Sequence, residues 1–230
     1  PSTDKTLEKE IPFGITVIKT RATDWFRFYR KNKEEIPSAG FAKNNDNTLK
    51  GKISRFIRGN FFIPDPRRGW NSFAYKKGCE LLSTNQFHTI ITTSPPHSSQ
   101  LIGLKLKKRF PSVKWIADLR DAWTDIYYYE MFYPTFISRA IDAAYEKQVL
   151  LRADKVITVA ETQKKSLAVR FPAIVNKLTV ITNGYDEDDF GERTQLSTEE
   201  LKIGYIGTIS PAYPTESFIE SLIELDSENF

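Results

Sequence analysis

Asp118, Arg120, Asp121 and Trp123 fall within six residues of "IADLRDAWTD", where an apolar run ends in a cluster of charge. Carboxylates accept hydrogens from hydroxyl groups, and a guanidinium donates to hydroxyl or phosphate oxygens. An indole offers a flat apolar face on which a pyranose ring can lie. Together they suit a polyhydroxylated or anionic ligand, with Asp121 the residue placed to orient a ligand hydroxyl and Arg120 beside it. The competing reading is an Asp118–Arg120 pair that braces a loop.

Three further stretches carry suitable groups. In "TSPPHSS" two prolines stiffen the approach to His97 and Ser98, at the expected start of a helix, whose N–H groups favour an anionic or hydroxyl-rich partner. The plainer alternative is that Ser94 and Ser98 only cap and His97 lies at the surface. "NGYDEDDF" sets Asn183 and Gly184 in an Asn-Gly turn ahead of an acidic run that suits a solvated hinge equally well, and "GYIGTIS" offers Gly207 and Thr208.

The elements that must position these residues alternate from residue 87 onward. "FHTIITT", "VKWIADL", "DKVITVA" and "KLTVITNG" are short runs rich in Val, Ile and Thr. Between them lie the helical patterns "SSQLIGLKLKKRF", "FISRAIDAAYEKQVLLRA" and "ETQKKSLAVRF", the second with Ile137, Ile141, Ala144, Tyr145 and Val149 on one stripe. The succession predicts an α/β fold, a Rossmann-like parallel sheet with helices on both faces. In such sheets ligands bind beyond the carboxyl ends of the strands, where all of these stretches fall. Before residue 87 the pattern is less regular. "ITVIKT" (15–20) suits a strand and "DWFRFYRKN" a short helix, and Thr48 should cap a helix with Leu49, Ile53, Phe56 and Ile57 on one stripe. Trp70, Phe73, Ala74 and Leu81 suit another helix packed on the sheet. The acidic, polar segment 186–200 suits a linker, "LKIGYIGTIS" a new strand and "TESFIESLIELDS" the helix after it. The expected domains are therefore 1–190 and the beginning of a second over 191–230, as in a piece cut from a longer protein.

Composition excludes several classes. One cysteine, Cys79, cannot form an internal disulfide and fits a reducing compartment. With His88 and His97 the only histidines, no zinc spacing exists and no metal site is expected. No P-loop, GxSxG elbow or GxGxxG fingerprint is present. A net charge of +4 is too small for a dedicated nucleic-acid binder. No apolar run reaches the roughly 20 residues that span a bilayer. The helix from Leu49 has a basic rim of Lys50, Lys52, Arg55 and Arg58; it either packs into the core or rests on an anionic membrane face.

The ordered succession "FFIPDPRRGW", "IITTSPPHSSQLIGLKLKKRF", "WIADLRDAWTDIYYYE", "ADKVITVA", "VITNGYDEDDF" and "KIGYIGTIS" resembles the family 4 glycosyltransferases, over roughly residues 8 to 230. In particular it looks like the branch with a D-x-R-D-x-W segment common in bacterial surface-polysaccharide gene sets. The resemblance implies the N-terminal, acceptor-side half of a GT-B fold, ending just inside the donor-side domain. It also implies transfer of a sugar, with retention and without metal or cofactor, from a nucleotide-sugar donor to a saccharide or lipid-linked saccharide acceptor. The expected location is cytoplasmic; peripheral contact at the inner membrane face is expected only if the helix from Leu49 rests on the membrane rather than packing into the core. The family's opening strand with its Gly-rich turn and most of its donor domain are not in this sequence, so the chain is not expected to transfer sugar alone. Arg120 and Thr208 stand where many relatives carry a histidine and a basic residue, so those roles do not carry over directly. Another GT-B enzyme, such as a sugar-nucleotide epimerase, and a non-enzymatic module for an anionic polymer remain the alternatives.

Overall fold

The computed structural model describes residues 11–23, 48–84, 87–187, 203–206 and 215–227. Helix α1 (Leu49–Phe61) opens at Thr48, whose hydroxyl accepts the Gly51 N–H. A 3-10 turn at Pro66–Trp70 leads into α2 (Asn71–Thr84). The alternation expected from the sequence follows: β1 (Thr89–Ser94), α3 (Ser98–Arg109), β2 (Lys114–Leu119), α4 (Phe136–Arg152), β3 (Lys155–Thr158), α5 (Glu161–Arg170) and β4 (Leu178–Val180). Helix α6 (Thr215–Ser227) comes last.

The four strands form one parallel sheet in the order β1-β2-β3-β4. Flanked by its helices, it makes the protein α/β and consistent with a Rossmann-like fold. Ser94 pairs with Leu119, Leu119 with Thr158 and Thr158 with Val180, so the carboxyl ends of all four strands lie level. Every crossover between neighbouring strands is a helix, as parallel pairing requires.

Alternate residues of the strands bury one face. Trp115, Ala117 and Leu119 of β2, Val156 of β3 and Leu178 of β4 form the core with Leu104 of α3, Val149 and Leu150 of α4, and Leu167 of α5. Trp115 is fully buried; its indole N–H donates to Thr92 Oγ1 at 2.8 Å and its ring lies against Gly103. On the other face of these strands, Ile91, Thr93 and Thr179 are exposed and Ile116, Asp118 and Ile157 half-buried.

Three sequence expectations are corrected. Residues 15–20 form no strand, and Ile15, Val17 and Ile18 are exposed. Helix α4 turns Ser138, Asp142, Glu146, Val149 and Leu150 inward, leaving Ile137 and Ile141 in solvent. Residues 203–206 carry no strand. The helix expected at 24–32 and most of the linker lie outside the described residues.

The chain divides into two compact units, residues 1–35 with 48–185, and residues 36–47 with 186–230. The sheet and α1 to α5 belong to the first, α6 to the second.

Candidate functional site at the carboxyl ends of the strands

The loop after β1 is held from below. Gln100 is fully buried on the first turns of α3. Its amide donates to the Thr92 and Asp118 carbonyls and to Ser94 Oγ, and its oxygen accepts the Thr92 hydroxyl. This side chain ties β1 and β2 together where the site begins. The Ser94 hydroxyl bonds to the Asp118 carbonyl rather than capping α3.

Ser98 is buried, and a carboxylate of the same chain occupies its helix terminus. Asp65 accepts the Ser98 backbone N–H at 2.7 Å and its hydroxyl at 2.9 Å, and also the N–H of Arg67. Asp65 thus supplies the anion that the N-terminus of α3 attracts. Burial pushes the Asp65 carboxyl up from its usual range, against these hydrogen bonds and the nearby Arg58 charge.

His97, at the N-cap position of α3, makes no side-chain capping bond. Its ring stacks on Trp123 with centroids 4.9 Å apart and planes 12° from parallel. Burial lowers its pKa to about 4, outweighing a backbone contact with Ala122 that favours the cation. The imidazole is therefore neutral near pH 7 and brings no positive charge for a phosphate. Its Nδ1 is buried without a hydrogen-bond partner.

Trp123, against which half-buried His97 stacks, is an interior residue, 3% exposed. Its indole N–H donates to Asp142 Oδ1 at 2.7 Å, and the Tyr129 hydroxyl donates to Asp142 Oδ2 at 3.0 Å. Burial, above all, pushes the Asp142 carboxyl up to about 6, against those two donors. One helical turn on, fully buried Glu146 accepts the Thr124 hydroxyl at 2.6 Å and Arg170 Nη2 at 2.6 Å. Two α4 carboxylates thus pin the loop after β2 at consecutive residues, 123 and 124. With one indole face on His97 and its N–H on Asp142, Trp123 is an anchor of that loop.

The groups that face solvent are fewer. Arg120 and Asp121 are exposed, as are Asn183 and Gly184. Arg120 Nε donates to Asn183 Oδ1 at 3.3 Å, joining the loop after β2 to the chain after β4. Asp118 is half-buried and makes no ion pair with Arg120. Residues 183 and 184 form neither turn nor bend, and a Cβ at Gly184 would meet open space. The sequence expectation of an Asn-Gly turn is corrected to an open chain that leaves the sheet. Gly207 and Thr208 lie outside the described residues. No cluster of His, Cys, Asp and Glu suited to a metal occurs among the described residues.

Beside the anchor lies a cavity of about 270 Å³. Leu119, Ala122 and Trp123 form its apolar side; Asp125, Ser166 and Arg170 supply polar groups. The Ser166 hydroxyl donates to Asp125 at 2.7 Å.

The functional residues that sequence reasoning missed are those that hold the site: Asp65, Gln100, Asp142, Glu146 and Arg170. A usable signal existed for two of them. Asp142 and Glu146 are spaced i and i+4 in a helix whose neighbouring Tyr145 and Val149 face the core, so the carboxylates had to be near the core too. No family model matches the chain, and no curated protein or solved structure matches it either.

Proposed function

We propose that the chain is the acceptor-side part of a retaining glycosyltransferase, which moves a sugar from a nucleotide-sugar donor to a saccharide or lipid-linked saccharide acceptor. The sequence motifs support this reading. The structural observation that carries it is the exposed Arg120–Asn183 contact, with Asp121 next in the chain, at the level carboxyl ends of a parallel sheet. Open α/β sheets bind ligands in that position.

Each group has a definite capacity there. Asp121 accepts hydrogens from sugar hydroxyls, Arg120 donates to hydroxyl or phosphate oxygens, and the Asn183 amide does both. Rigid support suits them, because a catalytic or binding group displaced by a fraction of an ångström loses much of its effect. The anchoring of Trp123 and Thr124 to α4 supplies that support. Stabilisation of the departing diphosphate is a separate electrostatic task, and neutral His97 contributes no charge to it.

The test is Asp121→Asn in the enzyme that contains this chain. The reading predicts at least a tenfold loss of sugar transfer, about 1.4 kcal/mol of transition-state stabilisation, at an unchanged melting temperature. Full activity in the variant would overturn the assignment of Asp121, as would activity lost only through unfolding.

A further inference from the structure

Helix α1 has no buried residue, so its apolar stripe is not part of the core. Leu49, Ile53 and Phe56, spaced i, i+4 and i+7, are 75%, 51% and 40% exposed. Ile53, Phe56 and Tyr133 line a shallow apolar depression together with Lys52. The C-terminal turn of the helix is what holds it. Asn60 donates to the Tyr133 carbonyl and accepts the Thr135 N–H and the Ser138 hydroxyl, and a Cβ at Gly59 would fall 2.4 Å from the Phe132 carbonyl oxygen. The first turn of α4, reached through those bonds, adds Phe136 and Ile137, 85% and 70% exposed.

The charge on the helix itself has one sign. The helix holds Lys50, Lys52, Arg55 and Arg58 and no acidic residue. Arg55 lies 5.8 Å from the Tyr133 ring centroid and Arg58 lies 4.6 Å from that of Phe132, so both remain beside the apolar surface. Lys50 and Lys52 are exposed, and neither forms an ion pair among the described residues. An apolar stripe flanked by Lys50 and Lys52 complements a surface that is apolar at depth and anionic at its rim. A lipid bilayer bearing anionic headgroups has that order of layers.

We propose that α1 and the first turn of α4 form a docking face for an anionic lipid surface. Leu49, Ile53 and Phe56 enter the boundary between headgroups and acyl chains, and Lys50 and Lys52 meet lipid phosphates. The inference is independent of the chemistry at the carboxyl ends of the strands.

Co-sedimentation of the chain with vesicles tests it. Partitioning into phosphatidylcholine vesicles with about 30 mol% phosphatidylglycerol should exceed that into pure phosphatidylcholine at least tenfold, and fall as NaCl rises from about 0.1 to 0.5 M. Lys50→Glu/Lys52→Glu should reduce binding at least tenfold without changing the melting curve, because both side chains are exposed. Ile53→Ser/Phe56→Ser should reduce binding to both vesicle types. Absence of binding, or binding indifferent to lipid charge and to the lysine pair, would overturn the proposal. So would a self-association in sedimentation velocity that Ile53→Ser/Phe56→Ser abolishes while vesicles leave the protein in solution, since the face would then be an interface between two copies.

Discussion

His97 and Asp142 are held in forms that oppose one another on acidification. The folded pKa of His97 is about 4, below its ordinary 6.5, so the unfolded chain takes that proton first. The stability His97 contributes is complete above pH 6.5 and is lost as the pH falls toward 4. Asp142 titrates near 6 when folded, above its ordinary 3.8, so the folded state takes that proton first. Its burial weighs against folding above pH 6 and is relieved as the pH falls toward 3.8. Between pH 4 and 6 the two contributions offset each other, and single variants should separate them. His97→Phe keeps a ring against Trp123 and removes the histidine loss. Asp142→Asn keeps an acceptor for the indole and removes the carboxyl gain. Relative to wild type, His97→Phe should become more stable by about 2 kcal/mol on going from pH 7 to 4.5, and Asp142→Asn less stable by a similar amount. Denaturant unfolding at the two pH values measures both changes. Parallel profiles for all three proteins would contradict this account of the anchor.

Among the elements, α3 packs against β2 through a close approach that depends on Gly103. A Cβ there would come 2.3 Å from Nε1 of the buried Trp115, which already donates to Thr92. Gly103→Ala gains helix propensity yet forces the indole or the helix to shift. The net should be a destabilisation of about 1–3 kcal/mol, measured by urea unfolding; unchanged or higher stability would mean that the interface relaxes freely. The strands and crossover helices were legible because Val, Ile and Thr runs and the helical patterns between them record burial by the sheet itself. The inward face of α4 was legible only in part, through the spacing of Asp142 and Glu146 beside Tyr145 and Val149. Ile137 and Ile141 predicted one orientation, but Trp123, Thr124, Tyr129 and Arg170 arrive from other segments to satisfy Asp142 and Glu146. A buried carboxylate is tolerable only with such partners, and periodicity within one helix says nothing of them. Residues 15–20 failed for the same reason: a strand exists only when another strand pairs with it. The candidate site was legible in its location, since strand ends can be read from sequence. How its residues divide was not, because Trp123 and Ser98 are fixed by distant carboxylates while Arg120 and Asp121 stay open.

At the scale of the molecule, the level ends of the four strands, the Gln100 tie between β1 and β2 and the α4 anchor all serve to present one small exposed surface, Arg120, Asp121 and Asn183. We propose that this surface binds saccharide or nucleotide sugar. This binding is tested most directly by titrating the ¹⁵N-labelled chain with a panel of free saccharides and nucleotide sugars and following the backbone amide resonances. At least one of these ligands should shift the amides of residues 120–123 and 183–185 in a saturable way, and Asp121→Asn should weaken the response. Saturable shifts confined to other parts of the chain, or no response from these amides to any saccharide or nucleotide sugar, would contradict the proposal.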